Sequence, residues 1–502
     1  MKFLQILDEQ IEPGGLVEWT PFVSGGLGAW DHDPRLTSHN HEAHLRSAFE
    51  YRVRHRREGG RESWLGLSIK FDERLSIPAI RATLSAWIDR HEVLRSHVVI
   101  KGTGLQRLST PPGSVNLKMS RIGWFNESRP LVEQIAGSFD RATAPLQWPA
   151  YVFATVGREH SFTLLFAADH SLVDGYSLIM ASQELVTMYQ ANRRHVDPEL
   201  PPVGSYVDFS AAERRDSEQT GADHPAVTTW GRFLASGRGD MPPFAEREAG
   251  PPEPSPPPGP TELGPPQESM YGMILDDDAA NRFAAVCSGA GGTLTAGVLA
   301  ALAVTYRERT GDPEFRCVLP RHTRDAAEWL GSLGWFVALA PFCMDISDSP
   351  TFDQAVARST AELKSSRQGS SLPFLRIAEL LGFEGAPRFV VSFIDTRFAP
   401  GAEANDAGRA TVLRSHSYSD DEVAIWINRT PLGLRLSARF PRESPEVVVD
   451  PLAPTVGAIE PIRTPDDPVD LGQPHGPVQA FLHDFTRLVQ GIGDASTFRA
   501  TI

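Results

Sequence analysis

The segment FAADHSLVDGYS, residues 166–177, brings together residue types that could carry out acid–base chemistry. An imidazole titrates near neutral pH, so His170 could take a proton from a hydroxyl or an amine. Asp174 follows four residues later and could order the loop by pairing with an arginine, while Gly175 permits a close backbone approach. The pattern predicts a strand that ends at Ala168, a loop that carries His170, and a helix that opens at Asp174. A rigid scaffold can present a reactive side chain at such a strand end.

Each of these residues also has an ordinary structural interpretation. Asp174 is a competent N-cap for the predicted helix, and such caps contribute about 1 kcal/mol whatever the function. A single histidine at a strand end is usually structural, and the pattern HxxxDG fixes only three positions. The loop alone therefore suggests a base without deciding between the two interpretations.

The rest of the sequence predicts elements that would hold this loop in place. Apolar residues at helical spacing predict a helix directly after the loop and others over residues 77–90, 296–310 and 478–490. Strand-like runs cover residues 151–156, 161–168, 388–394, 422–428 and 434–440. Helices and strand pairs mix without a regular βαβ order, so we predict the fold class as α/β in the broad sense, an α+β or mixed α/β sandwich.

A proline-rich stretch divides the chain into two halves. Seven prolines fall between Pro251 and Pro260, a density that forbids the interior of a helix or sheet. We expect residues 1–215 to form an N-terminal lobe that carries the loop, and residues 216–502 to form a C-terminal lobe, with residues 241–266 as the crossover. A second stretch rich in proline and aspartate, residues 451–477, precedes the final predicted helix.

Composition argues against several function classes. The 502 residues include 48 Lys+Arg and 63 Asp+Glu, a formal net charge of −15, which argues against sequence-independent binding of nucleic acid. No run of 18 apolar residues predicts a membrane span, and the start MKFLQILDEQ lacks the features of a signal peptide. The three cysteines form no CxxC pair, so we expect neither a disulfide framework nor a zinc site, and we expect a cytoplasmic protein.

Several motifs at a distance from the loop resemble one enzyme family. They lie in the order WTP, HNHEAHLR, RHEVLRS, FDRATAPLQWP, HSLVDG, SYVDFS, GGTLTAGVLAALA, HTRDAAEWLGSLGWFVALAPF, RFVVSFIDT and VAIWINR. In this order and at these separations they resemble the condensation-domain superfamily of acyltransferases. The later segments are most similar to the stand-alone, polyketide-associated acyltransferases of actinobacteria. The resemblance spans nearly the whole chain.

The resemblance implies two chloramphenicol-acetyltransferase-like lobes that form a V, with a tunnel along their interface. His170 then matches the general base of the family, and Gly175 matches the motif glycine. Asp174 matches an aspartate that pairs with an arginine of the other lobe, for which Arg324 is the first choice and Arg321 the second. Family members often have a histidine where this chain has Asp169, which could tune the loop or simply pack there.

Two more residues are candidates for support of the site. Trp335, in the GWF segment, could line the tunnel or pack in the core, and Ser392 lies in the SFID segment. The resemblance implies no bound cofactor and no metal. An acyl-CoA or a phosphopantetheinyl thioester would be the co-substrate.

The activity implied is transfer of a fatty or polyketide acyl group, not an aminoacyl group, from a thioester. The acceptor would be a hydroxyl or amine of a secondary metabolite or glycolipid, and the partners would be this small molecule and an acyl carrier protein or polyketide synthase. Two alternatives stay open. The chain could be an amide-forming condensation enzyme of peptide biosynthesis, or a non-catalytic module that binds carrier proteins.

Three further features have ordinary interpretations that we favour. The histidine-rich segment over residues 32–44 matches no compact zinc pattern. The basic run over residues 51–61 could steer the phosphates of a donor, but a solvated helix end explains it as well. The glycines at 289, 291 and 292 lack the Lys-Ser/Thr of a phosphate-binding loop, so we predict a helix-entry turn there.

Overall fold

The structure is a computed structural model that describes residues 1–55, 63–102, 104–244, 266–442 and 467–494. The α-helices in these ranges are α1 (His39–His55), α2 (Ile77–Arg90), α3 (Ser128–Ala142), α4 (Gly175–Arg194), α5 (Tyr206–Glu218), α6 (Pro225–Ser236), α7 (Asp277–Gly289), α8 (Leu294–Thr310), α9 (Phe352–Ser366), α10 (Phe374–Leu381), α11 (Ala402–Ala404) and α12 (Pro477–Asp494). Short 3-10 or π turns lie at Ile6–Asp8, Gly26–Ala29, Glu92–Arg95, Ala327–Trp329, Arg367–Ser370 and Asn405–Arg409.

The strands of the described chain form three sheets. They are β1 (Lys2–Gln5), β2 (Gly15–Val23), β3 (Asp31–Asp33), β4 (Trp64–Phe71), β5 (Ser96–Lys101), β6 (Gly104–Ser109), β7 (Val115–Trp124), β8 (Tyr151–Gly157), β9 (Phe162–Asp169), β10 (Glu268–Asp276), β11 (Glu314–His322), β12 (Val337–Asp345), β13 (Phe389–Asp395), β14 (Ala410–Arg414), β15 (Val423–Thr430) and β16 (Gly433–Phe440). Seven strands pair in the order β1-β14-β4-β9-β8-β2-β7, six in the order β10-β16-β15-β13-β11-β12, and three in the order β3-β6-β5.

The first large sheet is covered on both faces, and this explains its continuous apolar strands. Successive side chains of a strand point to opposite faces. Tyr151 and Phe153 of β8 therefore pack on the side of α2 and α4, whereas Val152 and Ala154 pack on the side of α3. All eight residues of β9 are buried. This rigid double-sided core fixes the point at which β9 ends and the HxxxDG loop begins.

The second large sheet has the same design. Its larger core lies against α7, α8, α9 and α12, and a smaller core packs α6 and α10 against the other face. Helix α8 is rich in alanine and almost wholly buried, which allows it to lie deep in this core. The sheet positions β11 and the segment that follows it, from which Arg324 and Trp335 extend.

The predicted elements agree with the structure at most boundaries. The helix predicted over residues 77–90 is α2, and the strands predicted on either side of the turn at residues 157–158 are β8 and β9. The mixed α/β class is confirmed. Helix α4 begins at Gly175, with the Asp174 carboxylate accepting the Ser177 backbone N–H at 2.7 Å, as expected of an N-cap.

One strand does not follow the division of the chain at residue 215. Strand β14, from the second half, lies inside the first sheet between β1 and β4. The sequence ATVLR is too short to predict such a strand. The boundary at residues 215 and 216 stays a prediction. Residues 245–265 of the predicted crossover and residues 451–466 of the second proline-rich stretch lie outside the described residues.

Among the described helices, none is by itself both long and apolar enough to cross a bilayer. One pair, Asp277–Gly289 with Leu294–Thr310, meets the length and composition only when its two helices are joined across a bend of 87°.

Candidate active site

His170 lies at the first position after β9, at the edge of the first sheet. Its backbone N–H donates to the Ser63 carbonyl at 3.1 Å, which ties the loop to the residue before β4. The next turn is closed by the Leu172 N–H, which donates to the Asp169 carbonyl at 2.9 Å. Both hydrogen bonds are made by the backbone at the end of a strand, so they fix the backbone position from which the His170 imidazole extends.

The His170 ring offers one nitrogen to a substrate. Its Nδ1 is buried and has no hydrogen-bond partner on another described residue, so Nε2 is the nitrogen that a ligand could reach. The ring packs against the Trp335 indole, with centroids 4.6 Å apart. Burial lowers the pKa of His170, opposed in part by its own backbone and by the nearby carboxylates. The ring is therefore neutral at neutral pH and can accept a proton.

Asp174 and Arg324 form a buried ion pair that joins the two halves of the chain. The guanidinium Nη1 donates to Oδ2 at 2.9 Å and Nη2 donates to Oδ1 at 3.1 Å, and both side chains are almost fully inaccessible. The backbone N–H of Phe336 donates to the same carboxylate at 2.9 Å. Burial would raise the pKa of Asp174, but Arg324 and these hydrogen bonds hold it below its usual value.

Arg324 is itself held on several sides. Its Nη2 donates to Ser177 Oγ at 2.7 Å, and its guanidinium lies over the Phe336 ring at 4.2 Å. The second choice, Arg321, is a half-buried residue of β11 that does not contact Asp174; burial and Arg367 lower its pKa. Among the two predicted arginines, Arg324 is the one that contacts Asp174.

Asp169 is buried and accepts three hydrogen bonds. Its Oδ1 accepts the Ser171 backbone N–H at 2.9 Å, and its Oδ2 accepts the Ser63 hydroxyl at 3.2 Å. The Nε2 atom of His44, on α1, lies 3.0 Å from Oδ2. Burial would raise the pKa of Asp169, but His44 and the hydrogen bonds lower it to about 2. The carboxylate is therefore ionised at any working pH.

The other predicted residues differ in their distance from this loop. A Cβ on Gly175 would lie 3.3 Å from a ring carbon of Phe3, so the glycine accommodates the close packing of β1. Trp335 contacts both His170 and His44, the second ring at 5.9 Å and perpendicular. Ser392 is a buried residue of β13 opposite Trp426, and no hydrogen bond joins it to the loop within the described ranges.

A cavity of about 360 Å³ lies beside the loop, between α1 and the segment that follows α3. Trp335 lines it, and so do both members of the pair His44 and Asp169. Most of the surface that it exposes is apolar, and hydroxyl, amide and carboxylate groups of Ser47, Ser63, Asp140 and Gln147 are set into it. An apolar wall with a few polar groups suits a ligand that combines apolar surface with hydrogen-bonding groups.

The histidine-rich segment is distributed among separate contacts. The Nε2 atom of His39 lies 3.1 Å from Ser217 Oγ, whereas His41 is fully buried, which lowers its pKa to about 3. No three His, Cys, Asp or Glu side chains gather as a metal site within the part of the chain that the structure describes. The sequence pattern identified His44 only as one histidine of several. Its contact with Asp169 depends on the way α1 crosses the end of β9, which no spacing predicts.

The family model of the condensation domain matches residues 57–394. The chain belongs to the condensation-domain family. A curated relative, the acyltransferase PapA3 of Mycobacterium tuberculosis, is 28% identical over 375 residues, which are 73% of this chain and 76% of the relative. The trehalose-2-sulfate acyltransferase PapA2 of the same species is 27% identical over 309 residues, 59% of this chain and 63% of the relative.

Solved structures of the condensation-domain family have the same fold. A structure of the PapA2 acyl transferase matches with a TM-score of 0.80 at 20% identity and covers 99% of this chain and 100% of that one. The first condensation domain of the calcium-dependent antibiotic synthetase matches with a TM-score of 0.64 at 14% identity, covering 91% and 96%. The predicted resemblance is confirmed, and the chain is an acyltransferase of this family. The lobe boundaries and the roles of the individual site residues stay predictions.

Proposed function

We propose that this protein transfers a fatty or polyketide acyl group from a thioester to a hydroxyl of a sugar-based acceptor. The observation that carries the proposal is the position of His170. Its accessible nitrogen lies on a loop fixed by backbone bonds and by the Asp174–Arg324 pair, next to a cavity that is lined by the neighbouring Asp169 and Trp335. This is what a general base needs in order to meet an acceptor in a defined orientation.

The proposed reaction uses the imidazole twice. Nε2 of His170 takes the hydroxyl proton as the acceptor oxygen bonds to the thioester carbonyl carbon. Breakage of the carbon–sulfur bond then gives the ester, and the imidazolium returns the proton to the leaving sulfur. Asp174 makes no hydrogen bond to His170 Nδ1 in the described chain, so we assign Asp174 and Arg324 a positioning role.

The sugar-based acceptor is suggested by the cavity and by the relatives together. Sugars present many hydroxyls. The wall of the cavity includes carboxylate, amide and hydroxyl groups and two aromatic residues, Tyr51 and Trp335. One relative is named for trehalose-2-sulfate. We therefore propose trehalose and its 2-sulfate as the first acceptors to examine.

The donor is proposed more broadly. Both acyl-CoA and an acylated carrier protein bring phosphate groups, which arginines can bind. Arg52 lines the cavity, and Arg54 is exposed on the same end of α1. The following arginines of the basic run, at positions 56, 57 and 61, lie outside the described residues. A carrier-protein partner and a cytoplasmic location stay predictions.

The experiment incubates the protein with acyl-CoAs of increasing chain length and either acceptor, and follows thiol release and the acylated product by mass spectrometry. We expect His170→Ala to lower turnover by roughly 10²–10⁴-fold, the usual contribution of a general base. His160→Ala is the matched control, since that histidine is 89% exposed on the turn between β8 and β9. Equal turnover by His170→Ala and wild type would overturn the base assignment.

Two further arms address the alternatives from the sequence. An amine acceptor that is acylated faster than the hydroxyl acceptor would favour the amide-forming reaction. A carrier-bound donor is added if no coenzyme A thioester reacts. Binding of that carrier protein without any transfer would favour a non-catalytic module over the proposed enzyme.

A further inference from the structure

A second imidazole–carboxylate pair lies on the cavity side of the loop. Asp169 is the chain neighbour of His170, and its Oδ2 lies 3.0 Å from Nε2 of His44. The Ser63 hydroxyl donates to the same oxygen at 3.2 Å. A carboxylate that accepts from one ring nitrogen fixes the orientation of the imidazole and of its other nitrogen.

The surroundings of His44 differ from those of a histidine that only packs. Its side chain is 18% exposed and forms part of the cavity wall, whereas the nearby His41 is fully buried in the protein. The Asp169 carboxylate is ionised at working pH and is only 1% exposed. Leaving it without a partner would therefore have a large cost in free energy. The pair therefore brings a permanent carboxylate and an oriented imidazole to a surface that a ligand can touch.

Trp335 connects this pair to the reactive histidine. Its indole contacts the His170 ring at 4.6 Å and the His44 ring at 5.9 Å. A molecule bound in the cavity would contact His44 and the indole, and the indole in turn contacts His170, which does not itself line the cavity. An acceptor that extends from the cavity past the indole would contact both imidazoles.

We propose that His44, oriented by Asp169, hydrogen-bonds a hydroxyl of the acceptor in the cavity and thereby determines acceptor specificity, while His170 acts on the hydroxyl that is acylated. This inference rests on the proposed function, because it places the acceptor in the cavity beside His170. It also gives a reason for the aspartate at position 169: a histidine there would supply no carboxylate to orient His44.

The test compares His44→Gln and His44→Ala with wild type and with His160→Gln as the matched control. The glutamine amide can still donate to Asp169, so this variant keeps the carboxylate paired and separates folding from ligand contact. We expect both His44 variants to raise the KM for the acceptor at least tenfold and to leave the KM for the acyl-CoA within twofold. His160→Gln should match wild type.

Two results would overturn the proposal. One is full activity in His44→Gln, which would mean that His44 only pairs Asp169 inside the fold. The other is an equal rise of both KM values, which would indicate a general loss of loop structure. In ¹⁵N-histidine spectra, we expect Asp169→Asn to shift the His44 Nε2 signal while the His160 signals stay in place; an unchanged His44 signal would also contradict the proposal.

Direct binding separates this proposal from the proposed function. If the wild-type protein releases no thiol with any donor, the proposed function fails, and trehalose and trehalose-2-sulfate are titrated into the protein by calorimetry. Binding to wild type that is lost in His44→Gln supports the contact. Equal binding to both proteins, or no binding to wild type, overturns it.

Discussion

The two carboxylates that flank His170 are both buried, yet their partners differ. Asp174 pairs with an arginine that is always charged, and the pair is enclosed by Phe336, Ser177 and the backbone. Asp169 pairs with a histidine in the wall of a cavity. The first arrangement has no surface that a substrate could touch, and the second does. One loop thus combines a scaffold pair with a pair suited to ligand contact.

This difference predicts unequal effects on stability. Removing one member of a buried ion pair leaves an uncompensated charge, so we expect Arg324→Ala to lower the free energy of unfolding by about 3–5 kcal/mol. Arg324→Lys keeps the charge but loses the bidentate geometry, so its free energy of unfolding should lie between those of wild type and Arg324→Ala. The measurement is urea unfolding at pH 7. Arg321→Ala is the control, because Arg321 is half-buried on the same segment without contacting Asp174; a matching loss there would contradict the scaffold role.

The second pair predicts a smaller effect that depends on pH. The pKa of Asp169 is lowered from 3.8 to about 2, so its contribution is present above pH 4 and is lost as the pH falls towards 2. The shift corresponds to about 2 kcal/mol. Asp169→Asn lacks this titration, so its deficit relative to wild type should shrink between pH 4 and pH 2. Urea unfolding across this range checks it, and parallel curves for the two proteins would contradict it.

Sequence reasoning reached the scaffold pair and missed the other. Asp174 and Arg324 are 150 residues apart, and no periodicity connects them; only the motif resemblance suggested the contact. The pair of Asp169 and His44 depends on the angle at which α1 crosses the end of β9. Spacing predicts the faces of an element but not its crossing angle.

The same limit applies to the fold. Long, strongly patterned elements such as α2 and β9 were predicted within a residue or two, because their core faces repeat along the sequence. Strand β14 was not, since five residues carry little pattern and its partners, β1 and β4, are distant in the chain. The cavity could not be predicted either, because its wall combines α1, the segment after α3 and Trp335.

The rate of acyl transfer should also depend on pH. Burial lowers the pKa of His170 below its ordinary value of 6.5, and the base must be neutral to accept a proton. Turnover should therefore fall as the pH is lowered, with a midpoint below 6.5. A profile of kcat/KM between pH 5 and 8 measures this. A midpoint above 6.5 would mean that the nearby carboxylates outweigh burial.

The smallest effect concerns the glycine between the scaffold pair and α4. A methyl group at Gly175 would lie 3.3 Å from the Phe3 ring, so the ring must move by a few tenths of an ångström. Alanine is preferred to glycine by about 1 kcal/mol in a helix interior, and the part of that preference that applies at this first helical position offsets some of the cost. We expect Gly175→Ala to change the free energy of unfolding by less than about 1 kcal/mol and Gly175→Val to lower it further. A large loss in Gly175→Ala would mean that the scaffold side of the loop tolerates no displacement of β1, and that its rigidity extends beyond the ion pair.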